Sequence, residues 1–379
     1  MKYQLNMNLR VSLFILLLIG MASIVSGGTR YLQIITEGVD VDVHALRSRL
    51  SPSFRAHETS HFIVLSDADT DTMRRLADTL EQTYRQFDRT CRRMELKTQP
   101  LPRKFPCILF RQRGDFRTFA LKYDRVSAQW VGGYYANAGN YMVFYSARDD
   151  PGNAEANAQF DKWTHDLRDV NEEIREARSS HQTERVQQLT QYALKLDQHI
   201  KKERRRFTDS VRTESVARTI HETVHLLAFN RGVQSRLRVP PFWLSEGLAT
   251  NFEADDSRSA FGPDFENAGR REKFTEYHND EKLIPLRSFI TISDTSTMDG
   301  ERADILYQQT YAFFRWLYRF RGDELAQYIR RFAQSPEEDG ALAAGDLTTS
   351  EHLKIFESIF GPVESVEKKW LRWERSIKR

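Results

Sequence analysis

The chain reads as an α+β protein: a mixed-sheet lobe, then helices, with a helical hairpin inserted between them. Three observations predict this class. Between residues 62 and 147, short β-branched and aromatic runs alternate with one long helical pattern. Residues 155–214 carry two apolar stripes with spacings of three and four, separated by a polar break. From residue 215 onward, apolar positions recur at helical spacing and are punctuated by Gly and Pro.

Taken in order, residues 1–28 read as an export signal. Lys2 and Arg10 precede the apolar run Val11 to Val25, and Ser26-Gly27-Gly28 supplies small residues for cleavage. The run is shorter than the roughly 18–20 residues of a stable span. A secreted or periplasmic location is therefore expected, with an uncleaved membrane anchor as the alternative. No Cys follows the run, so a lipid anchor is not indicated.

The sheet lobe, 29–154, is expected to hold a strand at 62–66, a helix at 70–93, a strand at 104–110 and a short helix at 114–123. Two more strands, 129–135 and 141–147, are joined by Ala136-Asn137-Ala138-Gly139-Asn140, a hairpin-turn composition. In the inserted segment, Trp163, Leu167, Val170, Ile174 and Ala177 form one seam, and Val186, Leu189, Ala193, Leu196 and Ile200 a second, out of phase with the first. The break at Ser179–Thr183 predicts a hairpin of two helices serving as a lid, a spacer or a docking arm for a protein partner. Residues 215–282 follow, and 283–379 read as helices at 304–320, 323–334, 350–359 and 363–377, with Trp370 and Trp373 as packing anchors.

Charge is nearly balanced, with 56 Lys and Arg against 53 Asp and Glu. The cluster Lys201-Lys202-Glu203-Arg204-Arg205-Arg206 reads as a solvated helix face, and no nucleic-acid partner is expected. Cys91 and Cys107 are the only cysteines. Export makes a disulfide between them the expectation.

The chemistry concentrates at His221-Glu222-Thr223-Val224-His225, an H-E-x-x-H sequence. On a helix, residues four apart share a face, so two imidazoles can reach one metal while Glu222 stands beside them as a base. Val216, Ile220, Val224 and Ala228 recur every four residues and support that helix, and Gly232 marks its end. After Pro240-Pro241 a second helix carries Glu246, with Glu253 two turns further on. One carboxylate can bind the metal while the other orients an imidazole N–H.

A second copy, His57-Glu58-Thr59-Ser60-His61, runs into the strand-like Phe62-Ile63-Val64-Leu65. Extended residues four apart lie about 13 Å from each other. They cannot share an ion with bonds of about 2 Å. His57 and His61 are therefore read as strand-entry residues.

H-E-x-x-H followed by Trp243-Leu244-Ser245-Glu246-Gly247-Leu248-Ala249 and Glu253 resembles the gluzincins, the H-E-x-x-H…E zinc metallopeptidases that include thermolysin. The stretch Thr219 to Glu253 looks closest to an uncharacterised bacterial branch, a domain of unknown function. The resemblance implies one zinc ion on His221, His225 and Glu246, with Glu222 as general base. It also implies a sheet whose edge strand pairs with a peptide or protein substrate. Tyr307 matches the place of a tyrosine that bonds the developing oxyanion, with Tyr311 as the alternative and a packing stripe as the bland reading. Glu253 is expected behind the ligands. Twenty residues separate His225 from Glu246, more than the usual aminopeptidase spacing; Thr250 stands where thermolysin has an Asp, and no G-x-M-E-N element is present. Substrate type is not inherited.

The expected function is hydrolysis of peptide bonds by a zinc-activated water. The other readings are a non-catalytic envelope protein that binds partners through its hairpin, and a hydrolase of a non-peptide amide.

Overall fold

Every residue of Phe105–Phe110 is buried, which is what a strand covered on both faces requires. This strand, β3, sits at the centre of a five-stranded sheet in the order β1-β2-β3-β5-β4. The computed structural model describes residues 40–126, 132–146, 153–236, 240–293, 295, 298–333 and 348–377. The expected export signal and the first part of the strand expected at 129–135 lie outside them. After a short helix α1 (Val43–Ser48) come β1 (Arg55–Glu58), β2 (Phe62–Ser66) and α2 (Thr70–Arg93). Then follow β3, α3 (Arg113–Phe119, continued by a π turn to Asp124), β4 (Gly133–Ala136) and β5 (Tyr141–Tyr145). β2, β3 and β5 run parallel, while β1 and β4 pair antiparallel at the two edges.

Strand periodicity divides the core. Val64, Phe105, Cys107, Leu109, Met142 and Phe144 face the main core, which α2 helps to build. Leu65, Ile108, Phe110, Val143 and Tyr145 face a second cluster with Phe116 and Phe119 of α3. The Asp69 side chain accepts from Thr72 N–H at 2.9 Å and caps α2, and Arg92 and Arg93 complement its last turn.

Two expectations need correction here. No strand was expected before Phe62, yet Arg55–Glu58 forms β1. Its exposed edge strand shows no apolar alternation, the signal on which such a reading depends. His57 therefore lies in β1 and His61 just before β2, and His61 Nδ1 bonds Glu81 at 2.8 Å. The disulfide is also absent: Cys91 in α2 and Cys107 in β3 are free thiols, both buried in the main core as small apolar side chains.

The hairpin is α4 (Ala154–Ser179) against α5 (Thr183–Asn230). Val170, Ile174 and Ala193 form its small core, flanked by Leu167, Val186 and Leu189. The second arm does not stop at residue 214. It runs unbroken into the H-E-x-x-H segment as one helix of 48 residues, about 72 Å long. Gly232, at φ 75°, ends it, and Val233 N–H bonds back to Ala228 C=O at 2.9 Å.

The remaining helices are α6 (Phe242–Thr250), α7 (Ala268–Asn279), α8 (Leu286–Phe289), α9 (Gly300–Phe320), α10 (Gly322–Ala333), α11 (Thr349–Phe360) and α12 (Val363–Ile377). α6 lies directly on α9: a Cβ built on Gly247 would come within 2.7 Å of Phe314 Cβ. Trp370 is fully buried and Trp373 packs its ring on Phe320 at 5.1 Å. Among the described residues no helix is long and apolar enough to cross a membrane.

Candidate metal centre

α5 and α6 bring His221, His225 and Glu246 together, and these three form the one group of metal-capable side chains among the described residues. The Nε2 atoms of His221 and His225 are 3.1 Å apart. Glu246 Oε2 lies 3.1 Å from the first and its Oε1 3.2 Å from the second. Donors on a tetrahedral shell with bonds of about 2.0–2.1 Å are separated by about 3.3 Å. The triangle therefore fits a tetrahedral ion, and its two imidazoles and one carboxylate are a zinc-type donor set with a fourth position left over. Glu246 is buried at 1 % exposure, so its charge needs a cationic partner.

Each imidazole is oriented from behind. His221 Nδ1 lies 2.8 Å from Glu253 Oε1, so this nitrogen carries the proton and Nε2 keeps its lone pair for a metal. Glu253 is not on the second helix, as its spacing implied. α6 ends at Thr250, and the turn after it delivers the carboxylate. Thr250 bonds the Glu246 backbone C=O at 2.7 Å and reaches no imidazole. Around His225, Nδ1 stands 3.4 Å from Ser245 Oγ, which donates to Gln234 Oε1 at 3.3 Å.

Glu222 is buried on α5, and its Oε2 accepts the backbone N–H of Tyr135 on edge strand β4 at 2.9 Å. An asparagine pair fixes that strand. Asn140 and Asn230 exchange hydrogen bonds of 2.8 Å, and Tyr135 O–H donates to Asn140 Oδ1 at 2.7 Å. Asn140 sits at φ 57°, a left-handed position that Asn tolerates.

The electrostatics follow from burial and proximity. Burial raises the Glu222 carboxyl above its ordinary range, with the two imidazoles acting against the shift. Burial opposes protonation of His221, but its bonds to Glu246 and Glu253 outweigh that and raise it to about 10. Burial likewise pushes Glu246 up, and the charge of His225 with the bonds to both histidines brings it down.

Tyr307 on α9 packs edge-on against Phe242 at 5.3 Å. Burial, then the fields of Glu246 and Glu222, raise its hydroxyl, which stays protonated at neutral pH. Tyr311 is turned elsewhere, accepting Asn267 N–H at 2.9 Å. Tyr307 is the tyrosine that feels the carboxylates.

The salt bridge behind Glu253 was invisible in the sequence. Arg270 on α7 is buried and grips both Glu253 oxygens, at 2.6 and 2.7 Å. It also donates to Gln308 Oε1 at 3.3 Å, and Gln308 donates to Asp304 at 2.8 Å. Asn140 likewise carried only a turn signal.

Residues 215–338 match a family described as Protein of unknown function (DUF1570). That stretch holds both histidines, Glu222, Glu246, Glu253, Arg270 and Tyr307, and begins inside α5. No curated protein and no solved structure matches the chain.

Proposed function

We propose that the protein is an exported, zinc-dependent peptidase of the gluzincin type. The observation that carries this reading is the convergence of two imidazoles and a carboxylate, 3.1–3.2 Å apart, with the Glu222 carboxyl on the same helix. His221, His225 and Glu246 would hold the zinc ion, which when bound would supply Lewis acidity, acidifying water toward a pKa of about 7 and polarising a carbonyl.

The chain's own groups supply the rest. Glu222 takes the proton of the attacking water and delivers it to the leaving amine nitrogen. Its raised affinity for protons suits both transfers. Tyr307, kept protonated, donates to the carbonyl oxygen as it gains charge. β4 is an edge strand whose Tyr135 N–H holds Glu222, so an extended peptide laid alongside it brings its backbone to the base.

Three proteins test the proposal: wild type, Glu222→Gln and His225→Ala. Metal analysis is expected to give one zinc in the first two and none in the third. Hydrolysis of an unfolded-protein library is expected from wild type, with Glu222→Gln slower by about 10²–10⁴-fold. Zinc-loaded wild type that cleaves nothing in the library would overturn the peptidase reading. Equal rates in wild type and Glu222→Gln would remove Glu222 as the base.

A further inference from the structure

The hairpin is electrically polarised in a way that the metal centre does not use. α4 carries seven Asp and Glu against four Lys and Arg, whereas Lys195 to Arg212 of α5 carries seven Lys and Arg against three Asp and Glu. Those 18 residues span about 27 Å of straight helix. Arg204 is used inside the hairpin, over the Phe160 ring and 3.3 Å from Thr164. Lys195, Lys201, Lys202, Arg205, Arg206 and Arg212 are exposed. Helical spacing puts them on the side opposite Ala193, Leu196 and Ile200, which are buried. Lys201, Arg206 and Arg212 have acidic neighbours on their own helix, at 2.7, 2.8 and 3.5 Å. Lys195, Lys202 and Arg205 form no ion pair among the described residues.

We infer that this face of α5 docks the protein on an anionic phospholipid surface. Three features favour a lipid surface over another polyanion. The cations share one broad face of a single helix, opposite the side that packs in the hairpin, so a charged plane can meet them together. That face offers no aromatic ring on which bases could stack. Its one large exposed apolar side chain is Leu194, which suits shallow contact with headgroups. The sequence adds an independent pointer, because the export signal read in Lys2, Arg10 and Val11 to Val25 would bring the chain through a membrane, whose outer surface it then faces. This inference does not depend on the peptidase reading.

The test is vesicle co-sedimentation of the full chain, using phosphatidylcholine alone and phosphatidylcholine with one quarter phosphatidylglycerol. The apolar N-terminal run would contribute equally to both, so the readout is the preference for anionic vesicles. Each cation near such a surface contributes about fivefold. Wild type is expected to prefer anionic vesicles by 10-fold or more, and 0.5 M salt to abolish that preference. Lys195→Gln/Lys202→Gln/Arg205→Gln is expected to lose most of the preference while keeping wild-type helicity and zinc content; the triple Glu variant should lose it all. Equal binding to both vesicles would overturn the proposal, as would a Gln variant that keeps its preference. Preferential binding to poly-glutamate over anionic vesicles would overturn it in favour of an acidic polypeptide.

Discussion

Arg270 holds both oxygens of Glu253, and Glu253 in turn holds His221. Removing the guanidinium leaves a buried carboxylate without its cation and frees the imidazole to turn. Arg270→Gln is expected to weaken zinc about 10–100-fold with the fold intact, read by competition with a chromogenic chelator; Arg270→Lys should recover part of it, because a single ammonium cannot reproduce a two-pronged grip. The proton on His221 gives a second expectation. Its ring is raised to about 10 in the metal-free protein. A zinc ion bound at pH 7, as proposed, would have to displace that proton, so affinity should rise about tenfold per pH unit until pH 10. Calorimetry in two buffers of different ionisation enthalpy would count the proton released. The same shift has a sign for stability. A ring raised above its unfolded value of 6.5 stabilises the zinc-free fold fully below pH 6.5, and that contribution is lost as pH rises through about 10. Zinc-free protein should lose melting temperature across this window and zinc-loaded protein should not. Of these residues, the two histidines and Glu222 were legible in sequence because helical spacing alone sets their relation. Arg270 was not, since only the tertiary fold brings α7 against the turn after α6.

Helix α6 presents Glu246 from a position set by its contact with α9, where Gly247 leaves no room for a side chain. Gly247→Ala would drive its methyl into Phe314 Cβ and is expected to cost about 1–3 kcal/mol, measurable by urea unfolding. Because Glu246 is the adjacent residue, zinc affinity should fall along with stability. Most elements could be read from the chain alone. Long helices with apolar stripes, such as α2 and α9, and the fully apolar β3 declared themselves through periodicity. β1 did not, because Arg-Ala-His-Glu has no buried face to write into the sequence. The continuity of α5 was hidden for a related reason. Between Ile200 and Ala217 the helix has no buried residue, so its stripe lapses while the helix continues.

At the scale of the whole molecule, the sheet lobe and the helices share one main core, which takes in both cysteines. Burial pushes the Cys91 thiol up to about 12 and Cys107 higher still. The native protein should therefore resist a thiol reagent, and unfolding without reductant should release two reactive thiols; fewer than two would restore the disulfide. Expected export argued for that bond from composition alone, but a compartment makes a bond permissible without bringing two side chains together. The unbroken α5 has a different kind of consequence. An arm and the candidate metal ligands His221 and His225 on one helix are geared to each other by residue count. Each residue added between Arg212 and Thr219 turns the arm about 100° against the histidines. Two added residues would point the basic strip nearly backwards, whereas seven return it to within about 20°. Related chains that keep the same gearing can therefore change arm length only in steps close to whole turns.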